Sequence, residues 1–187
     1  MASTLKIDTV TTPDGTGNIT FSRPIVADGS NLTNLPASGK ILQVVSATKT
    51  DTASNSNTSF TDITGLSVSI TPSATSSKVL VFFSVTVNGN NAGSSLRIAR
   101  DSTAICVGDA AGSRIQSTVS TNVSSGDSTR SHSGNFLDSP STTSATTYKM
   151  QWRSNGNTDY LNRSNTDLST TDYSRTASTI TVMEIGA

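Results

Sequence analysis

The chain has 187 residues, 33% of them hydrophobic and 14% charged, and its formal net charge is zero. That length suits one domain with an accessory segment, and both fractions fall below the ~45–50% apolar and ~25% charged of ordinary globular domains. About a third of the residues are Ser or Thr and the eight arginines are dispersed, so no cluster can neutralise a row of phosphates and a nucleic-acid partner is excluded.

In chain order, residues 1–39 stand apart as an extended N-terminal arm. Two strand-like pieces, LKIDTV and NITFSRPIV, flank the turn Pro13-Asp14-Gly15, where Pro presets φ and Gly accepts a positive one. The arm's apolar residues (Leu5, Ile7, Val10, Ile19, Phe21, Ile25, Val26, Leu32 and Leu35) are too few to close a core, so they are expected to be an attachment or oligomerisation interface held by other chains. The polar stretch ADGSNLTNLPASG then leads into residues 40–187.

That second region reads as a run of strands. KILQVVSAT opens it and FTDITGLSVSI follows at period two. KVLVFFSVTV, residues 78–87, is the strongest, with Val79, Val81, Phe83, Val85 and Val87 on one face and Leu80 and Phe82 on the other, which predicts burial on both sides at one end. SSLRIARD and AICVG form a predicted hairpin around Asp101-Ser102-Thr103, and SRIQSTVSTNV, SGNFLD and TYKMQWR come next, the last alternating Tyr148, Met150 and Trp152 with Lys149, Gln151 and Arg153. TDYLNRS and STITVMEI close the chain. Glutamate occurs only at Glu184 and Lys is scarce, which disfavours helices. The expected fold is all-β: an antiparallel, jelly-roll-like β-sandwich knob in which strands 40–48 and 178–185 pair side by side.

The chemistry on offer is sparse. His132, the one histidine, lies in TRSHSGN with no nucleophile elbow around any serine, so it reads as a loop or strand-edge residue. Most aspartates sit beside Gly, Ser, Thr or Asn, as turn caps do; Asp159, Asp167 and Asp172 share one stretch but make no calcium-loop pattern. Cys106 is alone, which excludes an intrachain disulfide and a thiolate metal cage. No enzyme activity, cofactor or metal is expected. The start MASTLKIDTV lacks a signal-peptide core and no run approaches ~20 apolar residues, so folding in the cytoplasm without membrane insertion is expected, and the Asn-x-Ser/Thr triplets (Asn162 among them) are expected to be unmodified. One segment suggests binding. Trp152, Asn155, Asn157 and Tyr160 combine aromatic faces with amides around a turn, as glycan contacts do; alternatively Trp152 is core and Asn155-Gly156 an ordinary hairpin turn.

The stretch DGSNLTNLP before a short hydrophobic strand resembles the junctions of tail-fibre and other appendage proteins of tailed bacteriophages, marine and cyanobacterial ones especially; residues 5–10, 15–21 and 28–35 carry the likeness. The Ser/Thr-rich sandwich is similar to their trimeric head domains, which resemble the jelly rolls of tumour-necrosis-factor-like and complement-like trimers. The resemblance implies a virion structural protein made in the host cytoplasm: a homotrimeric short fibre or fibre tip that contacts other virion proteins of tail, neck or capsid, and host surface glycans. It carries over no functional residue. The short lead-in, without extended repeats or a coiled coil, equally suits a trimeric capsid decoration protein that stabilises the head. A glycan-cleaving enzyme is the alternative of another class.

Overall fold

The structure, a computed structural model, describes residues 39–89, 93–122 and 127–186. Its strands in chain order are β1 (Ile41–Lys49), β2 (Ala53–Asn55), β3 (Thr61–Ile70), β4 (Lys78–Asn88), β5 (Ser94–Arg100), β6 (Thr103–Ile105), β7 (Val119–Thr121), β8 (Thr129–Asp138), β9 (Thr146–Ser154), β10 (Asp159–Leu161) and β11 (Ser178–Ile185). No helix occurs among the described residues. The fold is all-β, two antiparallel sheets packed face to face.

In the first, sheet A, β8 pairs along β4 from Val79 to Asn88, which occupies one edge of β4 completely. The opposite edge is shared end to end by β11, opposite Lys78–Ser84, and β10, opposite Val87 and Asn88. Beyond them lie β1 against β11 and β2 against β10. Sheet A is therefore four columns wide, in the order β1/β2, β11/β10, β4, β8. Sheet B has the order β3, β9, β5, with β6 and β7 sharing the far edge of β5. Each connection of four to seven residues crosses from one sheet to the other, while the two longest, from β6 to β7 and from β10 to β11, stay within one sheet, a pattern compatible with a jelly roll. Its first and last strands are neighbours as expected, Ala47 facing Ile180 and Val44 facing Met183.

The core lies between the sheets and follows from the period-two pattern. Val79, Val81, Phe83, Val85 and Val87 of β4 and Ile180 and Val182 of β11 meet Ile63, Leu66, Val68 and Ile70 of β3, Leu96 and Ile98 of β5, and Tyr148, Met150 and Trp152 of β9. Burying each such side chain contributes roughly 1.5–3 kcal/mol.

The strands depart from the sequence pattern at β7 and within β3. Residues 113–123 were expected to form one strand; among the described ones, 113–122, only Val119–Thr121 do. The free edge of β5 is already taken by β6 at Ile98–Arg100, leaving only Ser94–Leu96 for β7. The preceding residues bond the neighbouring loop instead, Gln116 Nε2 donating to the Gly108 carbonyl at 2.8 Å. In β3 the register slips between Asp62 and Ser67, where Gly65 takes a φ of +91°, open to glycine at little cost.

Candidate functional site

The outer face of sheet A departs from what a lone soluble domain presents. Hydrogen-bond register places Val44 beside Met183, Met183 beside Leu80, and Leu80 beside Leu137, so four apolar side chains form one row across β1, β11, β4 and β8. The next row is Ser46, Thr181, Phe82, Asn135, and the next Thr48, Thr179, Ser84, Ser133. None of these twelve positions is ionisable. Val44 is 54%, Leu137 53% and Phe82 39% exposed, although water gains nothing from any of them. Ile41, which faces Ile185, extends the apolar surface at 58% exposure. Leu80 and Phe82 were expected to be buried like the other face of β4. Phe82 instead stays 39% exposed and Leu80 is half-buried.

Sheet B presents the opposite character. On its outer face Asp62 accepts from Lys149 Nζ at 2.8 Å and Gln151 Nε2 at 2.7 Å, while Gln151 Oε1 accepts from Arg97 Nε at 2.8 Å. The Arg97 guanidinium lies 4.0 Å over the Phe60 ring. The neighbouring carboxamide and ammonium keep the Asp62 carboxyl below its usual range, the hydrogen bond from Lys149 acting most strongly. The outer face of sheet B thus carries paired charges, whereas the twelve positions on sheet A combine an apolar row with uncharged polar ones.

Buried polar groups are paired mostly between elements. Glu184 lies on the inner side of β11, its carboxylate accepting from Gln43 Nε2 at 2.6 Å, Ser73 N at 2.7 Å and Ser73 Oγ at 2.6 Å. Burial opposes its ionisation, but these hydrogen bonds outweigh it and hold the carboxyl down at about 2. Asn162, fully buried with φ +60°, donates from Nδ2 to the carbonyls of Lys49 and Asp51, each at 2.9 Å, and accepts from Ser178 Oγ at 2.6 Å. An amide so engaged leaves the Asn162 triplet closed to modification.

The expected glycan contacts do not come together. Trp152 is 3% exposed and belongs to the core, so its ring offers no face to a ligand. The structure takes the other alternative there, Asn155 and Asn157 standing exposed on the turn after β9. Tyr160 is half-buried, and the Arg163 guanidinium sits 3.9 Å over its ring. The arm residues Leu5, Ile7, Val10, Ile19, Phe21, Ile25, Val26, Leu32 and Leu35 lie outside the described residues.

His132 is in β8 opposite Val85, half-buried, and its Nε2 has no hydrogen-bond partner. Burial, helped by the charge of Arg130, holds its imidazole below the usual range. Cys106 is half-buried and burial pushes its thiol up. Among the described residues no three His, Cys, Asp or Glu stand close enough to hold a metal ion. Asp167 is tied to Arg175 at 2.7 Å, whereas Asp159 is buried in β10, where Ser94 Oγ donates to it at 2.6 Å.

The residues missed by sequence reasoning are those of the apolar row. Leu80 and Phe82 were visible by alternation, but Val44, Leu137 and Met183 become their neighbours only through pairing across sequence-distant strands. Comparison with protein-family models and with curated proteins finds no match to this chain.

Proposed function

We propose that this chain is a structural subunit that assembles through the outer face of sheet A into a homotrimer, and that the trimer is the head of a tailed-phage appendage. The observation that carries the assembly reading is the row Val44, Met183, Leu80 and Leu137, contiguous across four strands, with two uncharged rows on one side and Ile41, Ile185 and the single cation Lys78 on the other. Apolar surface left in water forfeits ~25 cal/mol per Å², and contiguous exposed patches mark interaction sites.

The row runs from one edge of the sheet to the other, Val44 on β1 and Leu137 on β8. That favours a contact in which the edge of one copy meets the face of the next. Such a contact is heterologous, and it closes without loose ends only as a ring, of which three is the smallest. The phage placement rests on the likeness of residues 5–10, 15–21 and 28–35 to appendage lead-ins, with the arm joining the head to other virion proteins. In this reading the role is mechanical, not enzymatic.

Light scattering on the full-length chain tests the assembly. A mass three times the 19.3 kDa of one chain is expected. Val44→Asp with Leu137→Asp should give a folded monomer, because both substitutions sit on exposed positions. A wild-type monomer, or a dimer, overturns the trimer. When particles are taken apart, recovery with tails supports a fibre and recovery with heads a decoration protein; recovery with neither removes the virion assignment.

A further inference from the structure

Between Leu161 and Ser178 the chain takes no regular secondary structure. A connection of that length within a compact domain is uncommon unless it has a task of its own. This one is braced. Asp167 holds Arg175 at 2.7 Å and Arg163 at 3.8 Å, Thr166 N donates to Asp127 at 2.7 Å, and Thr176 N donates to the Asn162 carbonyl at 3.2 Å.

The braced segment shapes two cavities that open broadly to the surface, of about 450 and 350 Å³, and both are lined by Tyr173. Volumes of this order fall within the ~300–1,000 Å³ usual for small-ligand sites. The first cavity is lined also by the Asp167–Arg175 pair, Leu168 and a series of Ser and Thr hydroxyls. The second is lined by Asp127, Asp172 and further hydroxyls, among them Thr176 Oγ1, which is buried without a hydrogen-bond partner in the protein.

This lining narrows the chemistry of an occupant. An apolar ligand would find only Leu168 and the Tyr173 ring beside many polar groups, which it would strip of water without repayment. A strongly anionic ligand would meet the Asp167 carboxylate beside Arg175 in the first cavity, and in the second the carboxylates of Asp127 and Asp172 with no cation in the lining. A neutral polyhydroxylated ligand has none of these faults. Its hydroxyls donate to carboxylates and accept from Arg175 and the serines and threonines, and the apolar face of a sugar ring stacks on a tyrosine.

We propose that the two cavities are adjoining subsites for a neutral oligosaccharide, with Tyr173 as the shared stacking platform and Asp172 and Arg175 as hydrogen-bonding side chains on either side. The inference goes beyond the assembly reading, because each subunit carries both cavities and binding needs no trimer.

The test applies full-length protein to immobilised maltotriose, cellotriose, chitotriose and mannotriose, with uronic-acid and sialylated oligosaccharides alongside. Binding to at least one neutral trisaccharide is expected. Tyr173→Ala should weaken it at least ~tenfold and Tyr173→Phe by no more than about threefold, since the ring carries the stacking. Should Tyr173→Ala fail to fold, Ser169→Trp at an exposed position of the first cavity provides the second variant, and it should block binding by filling the space. Retention of wild-type binding by Tyr173→Ala or Ser169→Trp, binding of acidic glycans only, or no binding to any of the four overturns the proposal. Because oligomeric mass is read separately, loss of the trimer and loss of sugar binding are distinguishable results.

Discussion

The Tyr148 hydroxyl donates to the Asp138 carboxylate at 2.6 Å, joining the central strand β9 of sheet B to the edge strand β8 of sheet A. Arg100 Nη1, from the next strand of sheet B, meets both oxygens of the same carboxylate at 2.9 and 2.8 Å. Tyr148 is fully buried, and burial together with the neighbouring carboxylate pushes its phenol far up, so it acts as a permanent donor. Tyr148→Phe should cost about 1–2 kcal/mol, because Asp138 keeps Arg100. Asp138→Ala should cost more, stranding a buried phenol and a partly buried guanidinium together. Denaturant unfolding of the two variants gives the comparison; equal losses would show that the Arg100 contact contributes nothing.

Asp159 and Glu184 should bend the pH–stability curve in opposite directions. Burial pushes the Asp159 carboxyl up to about 6, against the hydrogen bonds of Ser94 and Ser154 and the charge of Arg153. The folded state therefore binds a proton that the unfolded chain releases near 3.8, and the stability linked to Asp159 is full below that value and is lost as pH rises through about 6. A shift of this size corresponds to ~3 kcal/mol. Asp159→Asn, which retains an acceptor for Ser94, should flatten the profile between pH 4 and 6. An unchanged slope in chemical unfolding over that window would refute the assignment.

For Glu184 the sign reverses. Its folded carboxyl lies at about 2 against an ordinary 4.5, so its contribution is present above 4.5 and disappears as pH falls towards 2. Glu184→Gln should lower the melting temperature at pH 7 and remove part of the acid limb. If wild type and variant lose stability in parallel below pH 4.5, the carboxylate is not the group that responds.

Asn162 joins the segment after β1 to the entry of β11 through three side-chain hydrogen bonds, and its left-handed φ suits asparagine. Asn162→Ala should cost about 3 kcal/mol by stranding the Lys49 carbonyl and the Ser178 hydroxyl. Asn162→Asp should be worse, because a carboxylate would then face two carbonyl oxygens. Thermal melts of both variants check the order.

Gly134 faces Phe83 across β8 and β4, and a Cβ there would stand 3.0 Å from two ring carbons. The ring covers the glycine backbone, and as a core side chain it has little room to move. Gly134→Val should therefore destabilise by about 1–3 kcal/mol despite its higher strand preference. The paired variant Gly134→Val with Phe83→Leu should recover part of that loss in a double-mutant cycle.

Much of this architecture was written into local sequence. A strand alternates its side chains every second residue, so the inward set of β4 and the inward Tyr148, Met150 and Trp152 of β9 followed from spacing alone, as did the all-β class from the lack of helix-forming residues. The pairing of the first and last strands followed from their positions at the two ends of the sandwich region. Trp152 shows where legibility ended: its alternation pointed inward while its position beside a turn suggested a binding aromatic, and burial at 3% exposure decides for the core.

Sequence by itself thus determined the strands, their faces and the scarcity of catalytic groups, because each depends on residues within one or two strands of chain. Tertiary structure alone decided that Val44, Leu80, Leu137 and Met183 stand in one row and that Asp127, Asp172 and Tyr173 border one cavity. Neighbours across a sheet are set by hydrogen-bond register between strands far apart in the chain, and a one-residue slip turns an outward side chain inward. No local pattern encodes that register, so the apolar row and the braced segment before β11 appear only when the whole sandwich closes.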